Sequence, residues 1–145
     1  MKDIKIVLVE DDEILSKVIK EELEEANFKV HLATDGEKGL DLATSKKPNL
    51  VLLDLMLPKM HGFEVLENLK KSPETAKIPV MILTMLGSDD DIKKGLLLGA
   101  NDYIVKSQHA VGEIVDKVKE FFVSESNPEG KESSSPNKEK EDKKS

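Results

Sequence analysis

Three acids, a threonine and a lysine stand at the ends of short apolar stretches of this sequence and could act together on a phosphoryl group. Glu10 and Asp11 follow the first stretch, Asp54 ends the third, and Thr84 and Lys106 close the last two. Carboxylates gathered at one place repel one another unless a cation lies among them. Mg²⁺ commonly binds carboxylates together with a phosphate oxygen. With a hydroxyl donor and an ammonium group beside it, Asp54 is a candidate nucleophile that would form an acyl phosphate.

These residues can meet only if the apolar stretches are parallel strands of one sheet. The run from Asn49 to Asp54 is almost wholly apolar and is followed by Pro58, which is typical of a strand buried on both faces. Strand-like and helix-like stretches alternate, and right-handed crossovers then predict an α/β fold with a doubly wound sheet. The predicted strands are Ile4–Val9, Phe28–Ala33, Asn49–Asp54, Ile78–Thr84 and Tyr103–Val105, with helices at Glu13–Ala26, Asp35–Ser45, from Gly62, from Ser88 to Gly99, and at Val111–Phe122.

Composition limits the class of protein. The 145 residues carry a net charge of −7 and contain neither arginine nor cysteine. Because there is no arginine to bind phosphates or bases through paired hydrogen bonds, we expect no direct nucleic-acid binding. Because there is no cysteine, the chain can form neither a disulfide nor a thiolate zinc site. No stretch has a signal-peptide or membrane-spanning profile, so we expect a cytoplasmic protein with no membrane insertion. Residues 1–123 are predicted to form one domain, and residues 124–145, which contain no large apolar residue, a disordered polar tail.

Five separated motifs occur in a fixed order: Val9-Glu10-Asp11-Asp12, then Leu53-Asp54-Leu55-Met56-Leu57-Pro58 with Gly62, then Thr84, then Gly99-Ala100-Asn101-Asp102-Tyr103, and finally Lys106. Their order and spacing resemble the receiver domain of bacterial two-component response regulators, chemotaxis receivers included, over about residues 2–122. The resemblance implies a flavodoxin-like receiver fold with five parallel strands in the order 2-1-3-4-5.

The resemblance also implies a metal-assisted phosphoacceptor site. Asp54 would accept a phosphoryl group from a sensor histidine kinase; alternatively, the chain would be a phosphorelay intermediate that passes the group on to a histidine phosphotransfer protein. Asp11, Asp54 and the Met56 backbone carbonyl would bind Mg²⁺ directly, and Glu10 would act through a water. Asp12, in contrast, is interpreted from the sequence as the amino cap of the first helix.

A conformational switch is implied as well. Thr84 would hydrogen-bond the phosphoryl group, Lys106 would pair with it, and Tyr103 would turn inward. The surface made by the fourth helix, the fifth strand and the fifth helix would then bind a downstream protein. The chain would be a phosphorylation-dependent signalling switch that catalyses its own phosphorylation and slow dephosphorylation and is not otherwise an enzyme. Homodimerisation is left open.

Four residues depart from the family pattern. Ser107 replaces the proline that usually follows the lysine, and Met85 replaces a small residue and could narrow access to the site. Met56 and Leu86 are apolar where the family often has polar residues, and an apolar side chain cannot orient a hydrolytic water. The sequence therefore predicts slow autodephosphorylation.

Two alternatives stay open at this point. A phosphohydrolase with an aspartate nucleophile would need a second acid two residues after Asp54, where Met56 stands. A pseudo-receiver would dock partners without phosphorylation, and the Met85 and Ser107 departures would be its symptoms. We expect a stand-alone receiver with no output domain after it, or a receiver cut from a longer regulator, with the tail as a linker.

Overall fold

Alternating strands and helices make up residues 3–126, the part of the chain that the computed structural model describes. The strands are β1 (Ile4–Val9), β2 (Phe28–Ala33), β3 (Leu50–Leu53), β4 (Val80–Thr84) and β5 (Asp102–Val105). The helices are α1 (Glu13–Glu25), α2 (Gly36–Lys46), α3 (Gly62–Lys71), α4 (Asp89–Leu97) and α5 (Val111–Ser126), with a 3-10 turn at Lys106–Gln108. The strands pair in parallel in the order β2-β1-β3-β4-β5, so the predicted doubly wound receiver fold is confirmed.

The apolar content of each strand matches its place in the sheet. Every residue of β3 and β4 is buried, as a central parallel strand between two helical layers requires. In β2, Lys29 is exposed between the buried Phe28 and Val30, and the strand lies at the edge of the sheet as predicted. Lysine on an edge strand also discourages pairing with other chains.

One large core lies between the sheet and the helices on one of its faces. The core combines alternate residues of the strands with the apolar side of α3 and with Ala43 of α2. Its strand members are Val7, Val9, Ala33, Val51, Leu53, Val80 and Ile82, and its α3 members are Phe63, Val65, Leu66 and Leu69. Because neighbouring strand residues point to opposite faces, the same strands also bury Ile6, Leu8, Leu50 and Leu52 toward the other face.

The helices start at capping side chains that the sequence indicates. Asp12 Oδ1 accepts a hydrogen bond from Leu15 N at 2.9 Å, which confirms Asp12 as the amino cap of α1. Ser88 Oγ accepts from Asp91 N at 3.1 Å and caps α4. Asn27 and Gly99, each following a helix, have φ angles of 74° and 112°, in the left-handed region that ends helices.

The chain forms two compact units, of which the first is Met1–Val111 and the second begins at Gly112. The sheet, α1–α4 and all the candidate site residues belong to the first unit. The prediction that a disordered tail begins at residue 124 is wrong for residues 124–126, because α5 continues through Ser126. The rest of the predicted tail, from residue 127 onward, lies outside the described residues. No helix within residues 3–126 is both long and apolar enough to cross a membrane.

Candidate functional site

Strand register brings the two buried acids side by side. Val9 of β1 pairs with Leu53 of β3, so the residues that follow, Glu10 and Asp54, are neighbours at the carboxyl edge of the sheet. Backbone bonds continue the ladder beyond the strands: Glu10 N donates to Ala33 O at 2.9 Å, and Asp54 N donates to Val9 O at 3.0 Å. The backbone positions of both acids are therefore fixed by the sheet itself.

The three predicted acids form one cluster. Carboxylate oxygens of Glu10, Asp11 and Asp54 all lie within 4.8 Å of one another. Glu10 and Asp54 are buried, with 1% and 5% of their surface exposed, whereas Asp11 is exposed at the rim. The cluster thus has a desolvated floor and one acid that reaches solvent, an arrangement open to a small cation and its water ligands.

Lys106, the residue directly after β5, joins this cluster. Its Nζ lies 3.1 Å from Asp54 Oδ2 and 2.5 Å from Glu10 Oε1, and only 10% of its side chain is exposed. Burial alone would lower the pKa of Lys106, but the carboxylates of Glu10 and Asp54 outweigh that effect and the pKa is raised. The ammonium group is thus held charged, and the lysine reaches Asp54 although Ser107 stands in the usual place of proline.

The donor set fits a hard divalent cation. Burial raises the pKa of Glu10 despite the opposing effect of Lys106, and the nearby charge of Asp54 adds a smaller contribution to the rise. Glu10 Oε1 is buried and, among the described residues, accepts no hydrogen bond of good geometry; its contact with Lys106 Nζ is a close ion pair. Glu10, Asp11 and Asp54 supply the oxygen ligands that Mg²⁺ prefers.

The loop that follows Asp54 holds the carboxylate in place. Met56 N donates to Asp54 Oδ1 at 3.2 Å, and Gly62 N donates to Leu55 O at 2.8 Å. A Cβ on Gly62 would lie well inside contact distance of Asp54 O and of Leu55 Cα, both backbone atoms. The glycine is therefore required by the close approach of α3 to the end of β3.

Thr84 and Tyr103 belong to a second cluster, which meets at Leu86. Thr84 is fully buried, and its Oγ1 accepts a long hydrogen bond of 3.4 Å from Leu86 N. The Tyr103 hydroxyl donates to Leu86 O at 2.6 Å. Burial, followed by the charges of Asp91 and Asp54, raises the pKa of Tyr103 to about 12. The phenol is thus a neutral donor that ties the β4–α4 loop to β5.

Gly95 of α4 makes room for this tyrosine. A Cβ at Gly95 would lie 2.7 Å from Ile82 Cδ1 and 3.0 Å from Tyr103 Cδ2. The sequence indicates only that Gly95 destabilises the helix in which it lies. Its packing role has no local signal, because it depends on contacts with β4 and β5.

His61 is a further residue whose role the sequence does not reveal. Its side chain is exposed, but its Nδ1 accepts a hydrogen bond from Phe63 N at 3.1 Å and caps α3. The imidazole also stacks on Phe63, with ring centroids 5.3 Å apart. The only sequence signal is its position just before Gly62, and histidine is not among the preferred capping residues.

Comparisons with a family model and with related sequences point to the same protein family. Residues 6–119 match the response regulator receiver domain. The DNA-binding dual master transcriptional regulator RpaA of Synechocystis sp. is 43% identical over 102 residues, which cover 70% of this chain and 42% of RpaA. CpxR of Escherichia coli, a transcriptional regulatory protein, is 45% identical over the same shares of the two chains. The chain therefore spans less than half the length of these relatives.

Solved structures agree with the sequence matches. A CheY-like response regulator receiver domain protein from Methanospirillum hungatei superposes with a TM-score of 0.79 at 27% identity, covering 88% of this chain and 99% of that one. The phosphorylated cyanobacterial phytochrome response regulator RcpA gives a TM-score of 0.73 at 34% identity, covering 85% and 96%. With this fold, these matches and the acidic cluster at the carboxyl edge of the sheet, the chain belongs to the response regulator receiver domain family of two-component signalling.

Proposed function

We propose that this chain is a phosphorylation-dependent signalling switch whose phosphoacceptor is Asp54. The observation that carries the proposal is the position of the Asp54 carboxylate, buried beside Glu10 and Asp11 and contacted by Lys106 at 3.1 Å. A carboxylate with a charged lysine beside it, and with neighbouring acids that can hold a cation, is suited to take up a phosphoryl group. The donor would be a phosphohistidine on a sensor histidine kinase or a histidine phosphotransfer protein.

Each residue of the pocket would have a distinct role in phosphoryl transfer. One Asp54 oxygen attacks the phosphorus, the phosphorus–nitrogen bond of the phosphohistidine breaks, and the leaving imidazole takes a proton from solvent. Lys106 stays charged and pairs with a phosphoryl oxygen. Mg²⁺, when bound, supplies positive charge to the phosphoryl oxygens. Asp11, Asp54 and the Met56 carbonyl would hold the ion directly, and Glu10 through a water.

The second cluster supports a route from the phosphoryl group to the surface. The hydrogen bond between Thr84 and Leu86 N is long, so the hydroxyl loses little when it turns to donate to the phosphoryl group instead. Leu86 and the β4–α4 loop would shift with it, and Tyr103, bound to Leu86 O, would follow by turning inward. The proposed output is a changed surface on α4 and β5 that binds another protein.

Nucleic-acid binding is not part of the function proposed for this chain. RpaA is described as DNA-binding, but this chain covers only 42% of it. The chain contains no arginine, and its net charge is −7. We therefore propose protein partners for this portion and assign DNA contact to none of its residues.

We further propose that the phosphorylated form is long-lived. Met56 is 55% exposed two residues after Asp54, and its thioether cannot orient a water for attack. Leu86 differs, because its side chain is partly buried against the core. Met56→Asn is therefore the cleaner test and should speed decay of the acyl phosphate; equal or slower decay in that variant contradicts the proposal. Leu86→Glu needs a parallel measurement of stability.

The main test is incubation with Mg²⁺ and acetyl phosphate, followed by intact mass. Wild type should gain one base-labile phosphoryl group, and Asp54→Asn should gain none. Asp41→Asn, which changes an exposed aspartate of α2, is the matched control and should behave as wild type. Chelation of Mg²⁺ should slow labelling. If Mg²⁺ binds but wild type gains no phosphoryl group, the pseudo-receiver alternative is supported; turnover of small phosphate esters would support the hydrolase.

A further inference from the structure

The methionines of this chain fall into two groups by exposure. Met56 and Met85 are 55% and 56% exposed. Met81 is 2% exposed, and Met60 is partly buried, with its sulfur accepting from Asn68 Nδ2 at 3.8 Å. The chain contains no cysteine. Thioethers are therefore its only oxidisable sulfur, and two of the four in residues 3–126 are open to solvent.

Both exposed methionines stand next to the proposed phosphoacceptor machinery. Met56 lies two residues after Asp54, and its amide donates to Asp54 Oδ1 at 3.2 Å. Met85 directly follows Thr84, which is fully buried at the end of β4. The two exposed methionines thus lie close in sequence to Asp54 and Thr84, two of the side chains that would touch the phosphoryl group. The two less exposed methionines are Met60, in the loop before α3, and Met81, within β4.

We propose that Met56 and Met85 form an oxidation-sensitive modification site. Oxidation of these two residues shortens the lifetime of phosphorylated Asp54. The inference rests on the proposed function of Asp54. The oxidant class is a hydroperoxide: its oxygen–oxygen bond breaks, one oxygen bonds to the methionine sulfur, and the other leaves as water or an alcohol. The sulfur loses two electrons and the peroxide gains them, so each thioether becomes a sulfoxide.

The sulfoxide changes what the site can do with water. A thioether is apolar and accepts hydrogen bonds only weakly, whereas the sulfoxide oxygen is a strong acceptor on a polar side chain. Beside Asp54, such an acceptor can hold a water by one of its hydrogens and direct its lone pair toward the acyl phosphate. Hydrolysis should then accelerate, and the signal should end sooner.

The first measurement locates the oxidation. Limited hydrogen peroxide treatment of the full chain, followed by peptide mass mapping, should add one oxygen to Met56 and Met85 well before Met60 and Met81. Uniform oxidation of all four, or faster oxidation of the two sheltered residues, overturns the proposal. This measurement does not depend on phosphorylation.

The second measurement compares acyl-phosphate decay before and after peroxide within each variant. In wild type we expect oxidation to speed decay about tenfold, a small part of the ~10²–10⁴-fold that a positioned acid or base can supply. The doubly substituted Met56→Leu, Met85→Leu chain should show no change on peroxide treatment, and Met60→Leu should respond as wild type. Methionine sulfoxide reductase should restore the slow decay in wild type.

The outcomes separate this inference from the proposed function. If untreated wild type never gains a phosphoryl group on Asp54, the proposed function fails and this inference fails with it. If Asp54 is phosphorylated and its decay is the same before and after selective oxidation, only this inference is overturned. An effect of peroxide that persists in the doubly substituted chain assigns the change to other residues and also overturns it.

Discussion

Two loops at the carboxyl edge of the same sheet are built in different ways. The β3–α3 loop, which follows Asp54, is closed by backbone hydrogen bonds: Leu57 N and Gly62 N both donate to Leu55 O, and Met60 N donates to Pro58 O at 2.7 Å. The β4–α4 loop, which follows Thr84, is held through two side-chain hydroxyls that meet at Leu86. One loop is fixed by its own backbone, and the other depends on contacts that can be exchanged.

This difference suits the parts that we propose for the two loops. An acceptor must keep its carboxylate beside Glu10 and Lys106 whatever the state of the site, because a small displacement of a reacting group is costly. A reporter must have a second arrangement of similar free energy. The hydrogen bond that Thr84 Oγ1 accepts from Leu86 N and the one that the Tyr103 hydroxyl donates to Leu86 O can be broken at a cost of about 1 kcal/mol each.

The largest effect is expected from Gly62→Ala. The new Cβ would overlap Asp54 O and Leu55 Cα, which are backbone atoms and cannot turn aside. We expect a loss of about 3 kcal/mol in the free energy of unfolding, measured with urea, and slower labelling of Asp54. Gly112→Ala is the matched control, because a Cβ there meets nothing within 4 Å. Equal stability of the two variants would mean that the β3–α3 loop is less rigid than its contacts indicate.

Gly95→Ala should have a smaller effect because opposing terms partly cancel. Alanine favours a helix over glycine by about 1 kcal/mol. The Cβ would, however, crowd Ile82 Cδ1 at 2.7 Å and the Tyr103 ring at 3.0 Å. We expect a net loss of about 1 kcal/mol together with shifted amide signals at Tyr103 and Leu86. A gain in stability would show that α4 moves away from the ring easily.

Tyr103→Phe tests the hydroxyl without removing the ring. The variant loses the 2.6 Å hydrogen bond to Leu86 O, which should cost about 1 kcal/mol. Hydrogen exchange should accelerate at the amides of the β4–α4 loop, while those of residues 54–62 should exchange as in wild type. Faster exchange in both loops would remove the distinction between them.

His61→Ala tests the β3–α3 loop at the end that leads into α3. Loss of the hydrogen bond from Phe63 N to His61 Nδ1 should lower the free energy of unfolding by about 1 kcal/mol or less, because this cap is exposed. His61→Asn keeps an acceptor oxygen and should recover most of that stability. If thermal unfolding shows both variants equally destabilised, the stacking of His61 on Phe63, and not the cap, is the source of the effect.

The mildest test leaves the sequence unchanged and titrates the tyrosine. The chain contains one tyrosine, so its ultraviolet titration is unambiguous. In the folded protein the pKa of Tyr103 is raised from 10.0 to about 12, and the folded state therefore disfavours the phenolate. Stability should be unaffected below pH 10 and should fall as the pH rises from about 10 toward 12. A native titration centred near pH 10 would mean that the phenol is freely solvated.

The sequence by itself determined the fold and the identity of the acids that meet. Continuous apolar runs at residues 50–53 and 80–84 require two buried faces, and the alternation in Phe28–Ala33 is typical of an edge strand, so these three placements follow from burial of apolar area, whereas the full strand order was implied by the family resemblance. Because parallel strands end at one edge, the placement of Glu10, Asp54 and Lys106 also follows. Helix caps such as Asp12 and Ser88 are local and are equally readable.

Only the tertiary structure decided how these residues are held. The need for glycine at positions 62 and 95 arises from atoms of β3, β4 and Tyr103 that are distant in sequence, so no local preference reveals it. The backbone carbonyl of Leu86, which receives Tyr103, is present in every residue type and leaves no trace in a sequence. Exposure likewise separates Met56 and Met85 from Met60 and Met81, although the side chains are identical. Side-chain type is written in the sequence, whereas close approach, partner and solvent access depend on which segments the fold brings together.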